Sequence, residues 1–257
     1  DGKLSYTAQN TDLTQSYLYQ QAKTLQATSN SGRLTLIGHS NGGLVIKAFI
    51  QKLKETNDPL YSQIDQVVFV GVPQTGTPDS VVSLLYGSKI GALWLGISAE
   101  MTRTIGHFMP GMYHLLPSQK LFNAINPPIE FKGNNIDPSW TERYGDKIHS
   151  YEEFKDFLTG KEGRTSPDSK DTRQPEILSE SLLNQAEVNH SVWDDWVPSP
   201  ETEVIQIAGW GLYTVSGLEV TDEKLCQFSI SQLVDGRPVC DDNRISTVTL
   251  KDKLTLN

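Results

Sequence analysis

Long hydrophobic runs are nearly absent from these 257 residues. The one stretch that approaches a span is 81–99, nineteen residues whose single charge is Lys89. A bilayer crossing takes about 20 predominantly apolar residues. Here serines and glycines at 83, 87, 88 and 91, with Lys89 near the middle, suit buried or interfacial helices better. Basic clusters are also missing. The chain has 22 Lys and Arg against 31 Asp and Glu, a net charge of −9. That excludes nucleic acid as a partner and electrostatic docking on anionic membranes. Cysteine is scarce: Cys226 and Cys240 flank an excursion of 13 residues. A disulfide there fits an exported protein, two thiols fit equally, and no metal-ligand or cofactor spacing accompanies them. The balance leans to secretion or the cell envelope. There are five histidines, none in the last 67 residues, and no internal repeat or coiled-coil pattern. The rest of the composition is that of one large soluble domain.

What is present is concentrated at Gly38-His39-Ser40-Asn41-Gly42. The apolar run Leu34-Thr35-Leu36-Ile37 precedes it, and a helix-like run from Gly43, with Leu44, Ile46, Phe49, Ile50 and Leu53 apolar, follows. Gly-x-Ser-x-Gly between a strand and a helix is the nucleophile elbow of an α/β-hydrolase. The serine sits on a very tight turn so that Oγ projects above the sheet, its backbone is strained, and a Cβ on either flanking glycine is expected to collide with strand or helix. Ser40 is therefore the candidate nucleophile.

The ends of the chain shape the next expectation. Only 39 residues precede Ser40, and 11–27 read as one helix with Leu13, Tyr17, Leu18, Ala22 and Leu25 on a shared side, capped by Thr11 or Asp12. A complete hydrolase spends several strands there. The order Ser, acid, His leaves no late histidine here. The expectation is an internal fragment, truncated at both ends, with the acid and base of the triad beyond Asn257 and, by itself, inactive.

After the helix, Asn57-Asp58-Pro59 marks a break, and Val67 to Val72 with Ile64 form the next buried strand. Strand, helix, strand implies a parallel sheet. The next buried strand is Val204–Ala208, about 125 residues beyond Pro78. A crossover needs a dozen or more, so 79–202 reads as a large helical insertion and the core as 1–78 with 203–257, one incomplete domain. Residues 101–116 hold all three methionines, Met101, Met109 and Met112, read equally as a wall for an acyl chain or as ordinary packing. Ser150-x-x-Glu153 is a capping box, 160–175 a solvated loop, and Leu182–Trp196 a helix. The tail alternates in short stretches such as Thr247–Leu250, with turns at Asp235-Gly236 and Asp242-Asn243, which predicts β-hairpins.

Together with the elbow, Val70-Gly-Val-Pro-Gln-Thr-Gly-Thr-Pro78 and Tyr113-His-Leu-Leu-Pro-Ser118 carry a family resemblance. The chain resembles the lecithin–cholesterol acyltransferase-like branch of the α/β-hydrolases, near the lipases and GPI-inositol deacylase-type enzymes. Pro73, Gly76 and Thr77 match that branch's loop after the strand. Its Gly-Asp-Gly-Thr-Val acid motif is not present. The resemblance implies acyl transfer from lipid esters through an acyl-serine on Ser40, with the backbone N–H of Asn41 as an oxyanion donor and a lid formed by the insertion that touches lipid transiently. No cofactor, metal or obligate protein partner is evident from the sequence.

Other residues compete for roles. His39 adjoins Ser40 but points elsewhere on an elbow, so packing is its expected job. His190 and Asp194 share a helix face at i, i+4, which a local ion pair explains. Asp235, Asp241 and Asp242 follow the late strand, yet their Gly and Asn neighbours make them turn residues. The alternative to an enzyme is a non-catalytic binding or surface module on the same scaffold. A strained turn kept intact favours the enzyme.

Overall fold

The computed structural model describes residues 12–88, 97–125, 129–133, 136–209, 215–221, 233–234, 237–238 and 247–252, with side chains to Thr221. In chain order the elements are α1 (Tyr17–Thr28), β1 (Leu34–His39), α2 (Gly42–Glu55), β2 (Ile64–Val70), α3 (Asp79–Leu85), α4 (Ala99–His107), α5 (Pro110–Tyr113), α6 (Gln119–Ile125), β3 (Ile129–Lys132), α7 (Pro138–Tyr144), α8 (Tyr151–Leu158), α9 (Glu180–Trp193), β4 (Glu203–Ile207), β5 (Val215–Thr221), β6 (Leu233–Val234), β7 (Arg237–Pro238) and β8 (Thr247–Asp252). Parallel strands flanked by helices make this an α/β fold. The contacts fall into two compact groups, 1–75 with 185–212 and 76–184 with 213–257. The sequence reading drew its line elsewhere, with core 1–78 and 203–257 and insertion 79–202. The contacts instead group 213–257 with the segment that follows β2.

The first group is a parallel sheet in the order β1-β2-β4. Its register sets Gly38 beside Phe69, His39 beside Val70, and Val68 beside Ile205. β2 is rich in β-branched residues, which suit a pleated, packed surface. The core lies on one face, where Val67, Phe69, Phe49, Ile50 and Leu53 are all buried. The apolar stripe expected on α2 is thus the buried one, and each fully buried Phe or Leu contributes about 2–3 kcal/mol. Trp196 packs edge-on against Phe69, centroids 6.0 Å apart, and Lys47 Nζ donates to the Trp193 carbonyl at 2.7 Å.

Two expectations change here. The helix expected over 11–27 is a short 3-10 turn, Leu13–Gln15, capped by Asp12, followed by α1 capped by Ser16. Ser16 Oγ accepts from the Tyr19 amide at 3.3 Å, so a new helix begins there. Leu13 and Ala22 are buried, whereas Tyr17 and Leu25 are exposed. β4, expected to be buried, is exposed along its whole length. It is the edge of the sheet, and among the described residues the face carrying Ile37, Ile205 and Ile207 is open, Ile37 at 70% exposure.

The second group holds a mixed sheet, β3-β5-β8. β3 runs parallel to β5, and β8 antiparallel to it, with Leu218 opposite Leu250. β6 and β7 pair antiparallel as the hairpin the tail predicts. Behind the sheet sits an aromatic core. Phe157 contacts Phe131, Trp140 and Tyr144 at centroid separations of 5.6, 5.5 and 5.9 Å. Such pairs add about 0.5–1.5 kcal/mol each beyond burial. α8 begins at the predicted capping box: Ser150 Oγ accepts from the Glu153 amide at 3.1 Å, and Glu153 Oε2 accepts from the His149 amide at 2.7 Å.

The stretch 160–175, expected to be a solvated loop, is irregular but pinned. Arg103, 1% exposed, donates to the carbonyls of Asp168, Ser169, Asp171 and Gln174 at 2.7–3.1 Å. Arg164 binds the carbonyl of Phe157 and pairs with Glu162. The Arg103 guanidinium thus serves carbonyls of a segment that belongs to no strand or helix, as buried backbone requires. No described helix is long and apolar enough to cross a membrane.

Candidate active site

Ser40 stands at the junction of β1 and α2 with φ +53°, one of two non-glycine residues with positive φ among those described. An L residue in the left-handed region costs roughly 1–2 kcal/mol. The backbone around it holds the turn. The Ser40 amide donates to the Val70 carbonyl at 3.0 Å, extending the β1–β2 pairing into the turn. The Gly43 amide donates to the Ser40 carbonyl at 3.0 Å, and the amides of Leu44 and Val45 donate to Asn41 O at 3.0 and 3.2 Å. Asn41 is already helical, φ −55° and ψ −23°, and its side chain does not cap α2. Ser40 and Asn41 are thus brought together at the positive end of a helix of 14 residues, whose dipole favours negative charge there.

The glycines divide differently from expectation. A Cβ on Gly38 would lie 2.8 Å from the Gly43 Cα and from the Ile46 Cδ1, so Gly38 is sterically required. A Cβ on Gly42 would meet nothing within 4 Å, which corrects the expected collision at the second glycine of the pentapeptide. The tight position is its neighbour: a Cβ on Gly43 would lie 2.3 and 2.5 Å from the two γ-carbons of Val72. The motif reading missed Gly43 because the obstacle, Val72, is 29 positions away along the chain. The doublet Gly42-Gly43 was the only signal in the sequence.

The other candidates separate from the turn. His39 ends β1 with its side chain exposed, not packed as expected. His190 is buried and its Nδ1 lies 2.8 Å from Asp194 Oδ1, the i, i+4 pair the spacing predicts. Asp235, Asp241, Asp242, Cys226 and Cys240 lie outside the described residues. No group of His, Cys, Asp or Glu among the described residues could hold a metal ion.

In the second group, two segments with the family pattern meet. The Thr77 amide donates to the Leu115 carbonyl at 2.8 Å, and Ser80 Oγ donates to the carbonyls of Thr77 and Leu115, both at 2.7 Å. Gly76, φ +89°, lies so close to Leu116 that a Cβ would stand 2.1 Å from its carbonyl oxygen. Tyr113 OH donates to His107 O and accepts from the Ser179 amide, both at 3.0 Å, and burial pushes this phenol up from its ordinary pKa. On α4 and its flanks, Ile97, Met101, Ile105, Phe108 and Met109 project outward at helical spacing, Phe108 at 74% exposure.

With this geometry in place, the sequence model of one protein family, described as lecithin:cholesterol acyltransferase, matches residues 4–237. No curated protein matches the chain. A solved structure, "The crystal structure of Tle4-Tli4 complex", is similar over 96% of this chain and 51% of that one, at 16% identity and a TM-score of 0.47. The chain spans about half the length of the structure it matches there.

Proposed function

The chain belongs to the lecithin:cholesterol acyltransferase family, and on that premise we propose that the protein is a serine acyl hydrolase or O-acyltransferase of lipid carboxylic esters, with Ser40 as its nucleophile. The observation that carries this reading is the left-handed backbone of Ser40 at a strand–helix joint. Strain of that kind is kept where it serves a site.

In the reaction, Ser40 Oγ adds to the ester carbonyl while a histidine takes its proton. The carbonyl oxygen gains the negative charge, and the Asn41 backbone N–H with the N-terminus of α2 stabilises it. One such donor lowers the barrier by roughly 3 kcal/mol. Collapse expels the alcohol, which recovers the proton and leaves acyl-Ser40. Water or an acceptor alcohol then attacks the acyl carbonyl and frees the serine. His39, exposed at the strand end, and His190, engaged with Asp194, are not assigned the role of base. In this reading 79–202 is the lid, and the outward apolar stripe from Ile97 to Met109 is its contact with lipid.

A fluorophosphonate probe on the intact gene product tests the assignment. Labelling that disappears in Ser40→Ala, while the fold persists by circular dichroism, is the expected result. An unlabelled wild-type protein favours the binding-module alternative. Rates on short and long acyl esters then distinguish small esters from lipids.

A further inference from the structure

Gly43 is squeezed from two sides. On one side lies Gly38 of β1, where a Cβ would sit 2.8 Å from the Gly43 Cα. On the other lies Val72, just past β2, whose two γ-carbons occupy the space a Gly43 Cβ would need. β1, the first turn of α2 and the end of β2 are therefore stacked at van der Waals distance through a glycine, a second glycine and one branched side chain. Hydrogen bonds run along the same stack, from the Ser40 amide to Val70 O and from the Gly43 amide to Ser40 O, each 3.0 Å.

We propose that Val72 is a positioning residue for Ser40: its isopropyl group presses on Gly43, holds the first turn of α2 against β1, and so fixes the strained turn from which Ser40 Oγ and the Asn41 amide act. The inference rests on the reading of Ser40 as nucleophile. Val72 touches neither substrate nor the reacting atoms. It acts through Gly43, whose missing Cβ leaves the space that the Val72 γ-carbons fill. A β-branched side chain suits the task, since its χ1 is stiff. Moving the turn by about an ångström displaces an attacking oxygen and an oxyanion donor together, and errors of that size are enough to slow an enzyme about a hundredfold.

The pair is reciprocal, which makes it testable in the intact gene product. Val72→Ala removes both γ-carbons, and the rate of fluorophosphonate labelling and kcat are expected to fall at least tenfold with KM within about twofold of wild type. Val72→Thr keeps the shape and is expected to stay within about threefold in kcat. Gly43→Ala places a methyl against the γ-carbons and should lose labelling. Combining it with Val72→Ala removes the two closest approaches, leaving the Val72 Cβ at 2.9 Å, and should recover more than tenfold over Gly43→Ala alone. Leu53→Ala, buried in the same core away from the turn, reports the effect of lost stability by itself. Equal losses of labelling rate in Val72→Ala and Leu53→Ala at matched fraction folded, or no recovery in the double variant, overturn the role of Val72 and leave Ser40 as nucleophile. Absence of labelling in the wild-type protein overturns the nucleophile assignment, and this inference with it.

Discussion

If Ser40 is the nucleophile, stability and chemistry pull in opposite directions at this residue. Its φ of +53° is one that glycine adopts freely. Ser40→Gly is therefore expected to be inert toward the fluorophosphonate yet more stable than Ser40→Ala by about 1 kcal/mol, read as a higher urea midpoint at unchanged slope. Equal midpoints would mean that the turn carries no strain. The neighbouring glycines give a second comparison. Gly42→Ala is expected to be tolerated, and a methyl in a helix's first turn in place of glycine raises helix propensity by up to about 1 kcal/mol. Gly38→Ala must instead displace the Gly43 backbone 2.8 Å away and is expected to cost about 2 kcal/mol or more, toward the upper end of the range of about 1–3 kcal/mol for overpacking. The pentapeptide made Gly38 and Ser40 legible because their constraint is local. Gly43 was not legible because its constraint is Val72, and a single sequence says nothing about which distant side chain reaches a given backbone.

Among the elements, the least regular stretch is held by a residue far from it. Arg103 of α4 engages four carbonyls between Asp168 and Gln174, with Glu176 beside its Nε at 3.9 Å. Lysine has three donors on one atom and no fork to match that spread. Arg103→Lys is expected to destabilise the protein by about 3 kcal/mol, the scale for breaking a buried charged network, and to open 165–175 to proteolysis before the rest of the chain. The charged patterning of 160–175 suggested solvent because lone arginines at 103 and 164 give no sign of where they turn. Within the loop, hydrogen bonds from Arg173 hold the Asp171 carboxyl below its ordinary pKa. A depressed carboxylate contributes stability that is present above about pH 4 and lost as pH falls through the lower folded value. Asp171→Asn is expected to remove that part of the acid dependence of the urea midpoint and to leave the midpoint at pH 7 lowered. An unchanged acid profile would show that Asp171 contributes nothing to it.

For the whole chain the question is which surfaces carry the folding free energy, and here the pattern of alternation is a poor guide. Val204 to Ile207 and Leu34 to Ile37 read as strands buried on both sides, since parallel sheets normally are, and the strands and their parallel pairing are as expected. Yet only one face is covered among the described residues: Phe69 is 2% exposed while Ile37, Ile205 and Ile207 stand open. Periodicity reports which residues are apolar, not what lies against them. It was equally silent on β3 pairing with β5, because strands 86 positions apart carry no mark of each other; Phe131 and Val220 are partners only in the folded sheet. The asymmetry makes a quantitative prediction. Phe69→Ala removes a ring packed against Trp196 and is expected to cost about 3–5 kcal/mol. Ile207→Thr and Ile37→Thr remove apolar surface already in water and are expected to cost under about 0.5 kcal/mol each, the scale of ordinary surface changes. Urea unfolding of the three variants decides it. A cost at Ile37 or Ile207 near that of Phe69→Ala would mean that this face is covered in the folded protein, and that the sheet draws its stability from both sides.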